Sequence, residues 1–197
     1  MKKFILLIYL SLTAICVNAQ EHIRFNGAML GQSLETFASS LNVFAKTQIN
    51  HSERNKYNCW KYTKGRLGNY KCDYYIDCDL NNKIVFGVSA HFKVNDLQSE
   101  VAPFIKVFDK KYEKCTKNEN IEGHRVKIGE EETHTYLIRS KSNGKLLGEV
   151  SITTIKIQSR NTSYDLNREG HVIITYQDYA AKKAATNAYS NIMNEIL

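Results

Sequence analysis

Apolar residues recur along this chain with two different periods. Leu34, Phe37, Ala38, Leu41, Phe44 and Ala45 fall at helical spacing behind Ser33, a good N-cap. Glu35 sits in the first turn, where it meets the positive end of the helix dipole, so the pattern predicts a helix over 34–47. Further on, Tyr70, Cys72, Tyr74, Ile76 and Cys78 alternate with Lys71, Asp73, Tyr75 and Asp77, the period of two that marks a half-buried strand. A short strand at 59–62 precedes it across a turn centred on Gly65 and Arg66. A third strand follows a turn at Asn81 and Asn82, with Ile84, Phe86, Val88, Ala90 and Phe92 facing inward. The connections are too short for a crossover, so these strands form an antiparallel meander.

The second half repeats the order. Val101, Phe104, Ile105, Phe108, Tyr112 and Cys115 share one face of a helix expected over 99–115, with Pro103 in the first turn, where a missing amide proton costs least. Strands are expected at 125–128, 134–140, 146–157 and 171–176, with Asn143 and Gly144 as a hairpin turn. Asp178 can cap a last helix whose apolar side is Ala185, Tyr189, Ile192, Met193 and Ile196. A short strand at 22–25 opens the series. The expected fold class is α+β: antiparallel sheet meanders with helices packed on one face. The order allows two related helix-plus-meander halves, 20–115 and 116–197, within a single domain 20–197.

The first residues follow neither period. Lys2 and Lys3 precede an apolar run from Phe4 to Val17, and Val17, Asn18 and Ala19 end it on a small residue. This is the pattern of a signal peptide over 1–19, with Gln20 as the first mature residue. The run is too short for a membrane anchor. Cys16 lacks a lipid-anchor context, because Ile15 and Thr13 stand where a small residue and a leucine are needed. The mature chain is expected to be secreted or periplasmic, with no membrane span. Of 27 Lys and Arg, two leave with the leader, so 25 face 20 Asp and Glu, a net charge of +5. That mild excess eases contact with polyanions and is no nucleic-acid signature.

Export places the remaining cysteines, Cys59, Cys72, Cys78 and Cys115, where they can pair. Cys72 and Cys78 lie about 20 Å apart on one strand and cannot reach each other. A turn at Gly65 and Arg66 places Cys59 opposite Cys72. The strand from Ile84 runs out about 26 Å, and the helix ending at Cys115 returns about 24 Å, beside Cys78. The expected bridges are Cys59–Cys72 and Cys78–Cys115. Their spacing lacks the close pairs of a zinc site.

No residue set points to catalysis, a cofactor or a metal. Asp77, Asp79, Asn81 and Asn82 begin like a calcium loop, but Asn82 holds the place of its glycine and Val88 that of its glutamate; they read as a turn. His91, His134 and His171 fall in expected strands without ligand spacing. Glu130, Glu131 and Glu132 read as a solvated turn. The stretch 54–75 is the most suggestive. Arg54, Lys56, Lys61, Lys64, Arg66 and Lys71 interleave with Tyr57, Trp60, Tyr62, Tyr70, Tyr74 and Tyr75. Aromatics beside cations suit stacking on sugars or gripping an acidic polymer or protein. Trp60, Lys71 and Tyr75 are the candidate binding residues; Tyr74 shares the face of Cys72 and Ile76 and is expected inside.

The residues from Ile23 to Gly27, then Leu30 to Leu34 and Phe37, resemble the mature start of small uncharacterised secreted proteins of Bacteroides-like bacteria. Lys83 to Val88 and Val172 to Asp178 resemble strands of that group. The resemblance implies a secreted α+β protein and assigns no catalytic residue. The helix-plus-meander order is also similar to the tandem units of β-lactamase-inhibitor-like and small outer-membrane assembly lipoprotein domains, a likeness of fold alone. The function expected is a non-enzymatic binding or interaction module for a protein or glycan ligand. The alternative is a hydrolase of an envelope or dietary polymer, for which Asp73 and Asp77, about 13 Å apart on one strand, are the residues to examine.

Overall fold

The computed structural model describes residues 21–44, 46–49, 56–115, 131–156 and 170–196, the last five of these by backbone alone. The leader, Gln20, the strand expected at 125–128, Glu130, His51 and His124 lie outside them.

A small hairpin, β1 (Arg24–Phe25) and β2 (Ala28–Met29), leads into helix α1 (Leu34–Ser40). Ser33 caps the helix as expected, its Oγ accepting from the Thr36 N–H at 3.3 Å. The helix stops seven residues short of 47. Ser39, Ser40 and Asn42 compete for backbone hydrogen bonds. Asn42 turns left-handed at φ 55°, and Val43 N–H donates back to the Ala38 carbonyl. Residues after it enter a strand, β3 (Lys46–Ile49), where a helix end and a loop were expected.

The meander that follows is β4 (Asn58–Leu67), β5 (Tyr70–Cys78) and β6 (Val85–Val94). Helix α2 (Leu97–Lys111) carries the chain to β7 (Glu113–Lys114), after which β8 (Glu131–Arg139), β9 (Leu146–Lys156) and β10 (Gly170–Asp178) return. All are antiparallel neighbours in one eight-stranded sheet of order β3-β4-β5-β6-β10-β9-β8-β7. The chain thus lays one four-strand meander, crosses to the far edge, and walks back until β10 lies against β6. Each meander follows a helix.

Alternation gives the sheet two faces. On the inner face Tyr74, Ile76, Val88, Ala90, Ile174, Ile152 and Tyr136 are fully buried. Helix α2 covers them through Phe108, which meets Tyr136 and Tyr176 edge-on, and through Phe104 against Tyr70 and Phe92. Phe25 of the first hairpin packs on Tyr74 and Tyr176, and Leu34 and Phe37 of α1 join the same core.

Helix α3 (Tyr179–Ile196) behaves differently. Ala181 and Ala185 form a separate cluster with Phe86, Tyr57 and Ile84. Tyr179 bonds Glu149 and Lys182 bonds Gln177, both outer-face residues. The expectation of helices on one face is therefore corrected: α1 and α2 cover the inner face, and α3 crosses one end of the outer face. Asp178 is the hinge between the two layers. Buried beneath β1, it caps α3 by accepting from Ala181 N–H at 2.8 Å and accepts from Ile23 N–H at 2.9 Å, with His22 Nδ1 at 3.1 Å. No helix among the described residues is long and apolar enough to cross a membrane.

Both expected disulfides are also corrected, by register. The first hairpin turns at Gly68 and Asn69, not at Gly65 and Arg66, because Leu67 pairs with Tyr70. Gly65 instead lies inside β4 at a bulge, where a Cβ would come 2.5 Å from the Tyr74 ring. Moving the turn three residues slides the pairing by about six. Cys59 then faces Asp77, five residues or about 17 Å along β5 from Cys72. Cys115 bonds Thr135 at the far edge of the sheet, at least four strand spacings or about 19 Å from Cys78. A bridge needs Cα atoms within about 7 Å.

Candidate binding face

The residues between the buried ones build the outer face. Cross-strand pairing lines up one residue from each of six strands: Lys61, Tyr75, Ser89, Thr175, Ser151 and Thr135. The next row holds Asp73, His91, Ile173, Thr153 and Thr133. These side chains are half-buried or exposed, whereas their neighbours one residue along β5, β6 and β10 are buried. Hydroxyl pairs tie the rows across strands: Ser89 with Thr175 and Thr133 with Thr153, each at 2.9 Å.

The charged and aromatic end of this face is a connected group. Lys61 Nζ lies 2.8 Å from Asp73 Oδ2 and 5.5 Å from the centre of the Tyr75 ring. Tyr75 stacks on His91 with ring centres 4.2 Å apart and planes tilted by 36°. The hydrogen bond to Asp73, then that to Tyr75, pushes the Lys61 ammonium above the usual lysine range. Burial pulls His91 down to about 4 against the opposing pull of Asp73, with Lys61 and His171 adding to the drop. At neutral pH the group therefore presents a fixed ammonium–carboxylate pair, a neutral imidazole and a phenol. It can donate and accept hydrogen bonds side by side on this face.

Of the candidate residues from the sequence, Lys71 and Tyr75 lie on this face, with Lys71 exposed. Trp60 does not join them. It pairs with Ile76 on the inner side, where its Nε1 donates to Asn82 Oδ1 at 2.9 Å and Lys46 lies over its ring at 4.4 Å. The same oxygen accepts from Asn58 at 3.1 Å and faces the Cys78 thiol at 3.2 Å, so Trp60 serves a hub that holds the turn after β5. Tyr74 is buried as expected. Lys61, Asp73 and His91 were not singled out from the sequence as one group. Their signal was the polar half of the period-two pattern, but only the register brings them together.

The remaining candidates separate. His91 and His171 share the outer face, but His134 stands on the inner one, 2.9 Å from Glu132. No group of three or more metal-ligating side chains occurs among the described residues. Asp79 Oδ1 accepts from the Lys83 and Ile84 amides at 2.6 and 2.8 Å, which makes the 77–82 stretch the expected turn. Glu131 and Glu132 open β8 rather than a turn. A cavity of about 460 Å³ lies between α2 and β8–β9, with Leu97, Val101 and Ile105 on one wall and His134, Thr154 and Lys156 on the other.

Compared with known proteins, the chain matches no family model, no curated protein and no solved structure.

Proposed function

We propose that this protein is a secreted or periplasmic, non-enzymatic binding module that docks its ligand on the outer face of the sheet. One observation carries the reading. Helices and a hairpin cover the inner face, while the other presents a polar row across six strands and a second row, polar except for Ile173, across five. A hydrogen-bonding surface of this kind suits a partner that lies along it, such as a glycan or an extended protein segment. Ligand specificity arises from the few polar groups that converge around Tyr75. The leader supports the compartment, since a chain exported by it meets envelope and extracellular polymers.

The test is a binding screen of the mature chain against envelope glycans and proteins, repeated with Tyr75→Ala and His91→Ala. Loss of binding in both variants, with melting curves close to the parent's, is the expected result. Binding that survives both and disappears on substituting inner-face residues would move the site elsewhere.

A further inference from the structure

The outer face carries an unusual basic group one step beyond Asp73 and His91. Arg66 pairs directly with Lys71 across β4 and β5, and Lys93 pairs directly with His171 across β6 and β10. The pairing of β5 with β6 ends at Asp73 and His91, and beyond it Lys71 and Lys93 both line one open depression. Arg66 with Lys71 and Lys93 with His171 therefore form two cross-strand couples on four adjacent strands, and three of these four residues line the same depression. Arg66, Lys71 and Lys93 are exposed and enter no ion pair among the described residues.

Like charges directly opposite each other destabilise a sheet. The fold tolerates one such pair here, Arg66 opposite Lys71. Asp73 is taken up by Lys61. Glu100 accepts from the Asn95 and Asp96 amides in the cap of α2. Lys71, Asp73, Tyr75, His91, Lys93 and His171 together line this open depression of about 960 Å³, so the basic group borders a recess and not a flat rim.

We propose that this basic group binds an acidic polysaccharide, its carboxylate or sulfate groups meeting Arg66, Lys71 and Lys93 while its hydroxyls meet Tyr75, Ser89 and Thr175. The inference rests on the outer face being the docking surface and names its ligand class. Cations from several strands around one recess match a chain with repeated negative charge. Tyr75 beside these cations is stacked on His91, and the row that runs on from Tyr75 carries the Ser89 and Thr175 hydroxyls. That favours sugars over nucleic-acid bases, which ask for successive stacking platforms.

The experiment measures affinity of the mature protein for heparin, polygalacturonate, neutral dextran and single-stranded DNA at several salt concentrations. The double variant Lys71→Gln/Lys93→Gln and the variant Tyr75→Ala are run beside the parent. The parent should bind heparin and polygalacturonate with strong salt dependence, and the double variant should lose roughly tenfold or more and show a shallower salt slope, as expected when counterions are no longer released. Removing like-charged neighbours should leave the melting temperature of the double variant equal or higher, which separates lost binding from lost folding. Unchanged affinity for both acidic glycans in the double variant overturns the proposal. So does tighter binding to DNA than to either glycan. Dextran binding that survives the double variant but fails in Tyr75→Ala overturns the role of the basic group and leaves the docking face standing. If nothing binds in any arm, the acidic-polysaccharide proposal falls.

Discussion

His91 shows how one side chain reports its surroundings. In the unfolded chain its imidazole titrates near the ordinary 6.5; in the fold, burial lowers this to about 4. The folded state therefore binds fewer protons between these values. Stability from this residue is fully present above about pH 6.5 and falls as the pH drops toward 4. Because the ring remains partly open to water, the loss is about 1–2 kcal/mol. Unfolding by urea at pH 7 and pH 4.5 should show this loss in the parent, and His91→Gln should flatten it. An identical slope in the variant would place the acid sensitivity elsewhere. The cysteines respond in the opposite sense. Burial, with Asp79 and Asp77 adding to it, pushes the Cys78 thiol up to about 12, and burial likewise raises Cys59 and Cys72. All three stay protonated at neutral pH and serve as small apolar fillers rather than nucleophiles.

Between elements, close approach is set by glycines. A Cβ on Gly148 would lie 1.9 Å from the Gln177 carbonyl oxygen and 2.7 Å from Ile23 Cδ1. The nearest obstacle is backbone, so β9 and β10 would have to part. Gly170 faces a softer obstacle, the Leu97 side chain at 2.5 Å, which can rotate. Gly148→Ala should therefore cost about 3 kcal/mol and Gly170→Ala about 1 kcal/mol in chemical denaturation. The reverse order would show that β9 and β10 do not pack this way. At this scale the period-two pattern was a good guide. It marked β5 residue for residue, and it marked β6, β9 and β10 to within a few residues. It failed where a polar stretch becomes a strand by pairing, as in β3, whose Lys46, Thr47 and Gln48 are all exposed. Such a strand has no apolar face to announce it and owes its form to hydrogen bonds with β4.

Taken whole, the molecule is two meanders sharing one sheet. The seam from Gly170↔Val94 to Gln177↔Gly87 joins them, and the inner core draws on both sides of it. Tyr74 and Val88 from one meander and Tyr136 and Ile152 from the other are buried in the same cluster under α2 and the first hairpin. Neither half can expose its part of that cluster at low cost, so the protein should unfold in one cooperative step. Trp60 fluorescence, which reports the first meander, and far-ultraviolet circular dichroism, which reports both, should give the same midpoint. Two separated midpoints would mean that the halves are independent folding units.

The sequence by itself determined the local choices: which stretches are helical or extended, which side of each strand is apolar, and where Ser33 and Asp178 start their helices. These depend on neighbours a few residues away, and period, caps and turn residues record them. Only the tertiary structure decided which strands meet, in what register, and which face each helix covers. The first hairpin's turn at Gly68 and Asn69, three residues beyond the expected one, parted Cys59 from Cys72 and set Arg66 opposite Lys71. The crossing of α2 to the far edge carried Cys115 away from Cys78 and let β10 return beside β6, which placed His171 against Lys93. Such pairings are settled by hydrogen bonds and packing between residues far apart in the chain, and the spacing of residues within one strand holds no record of them.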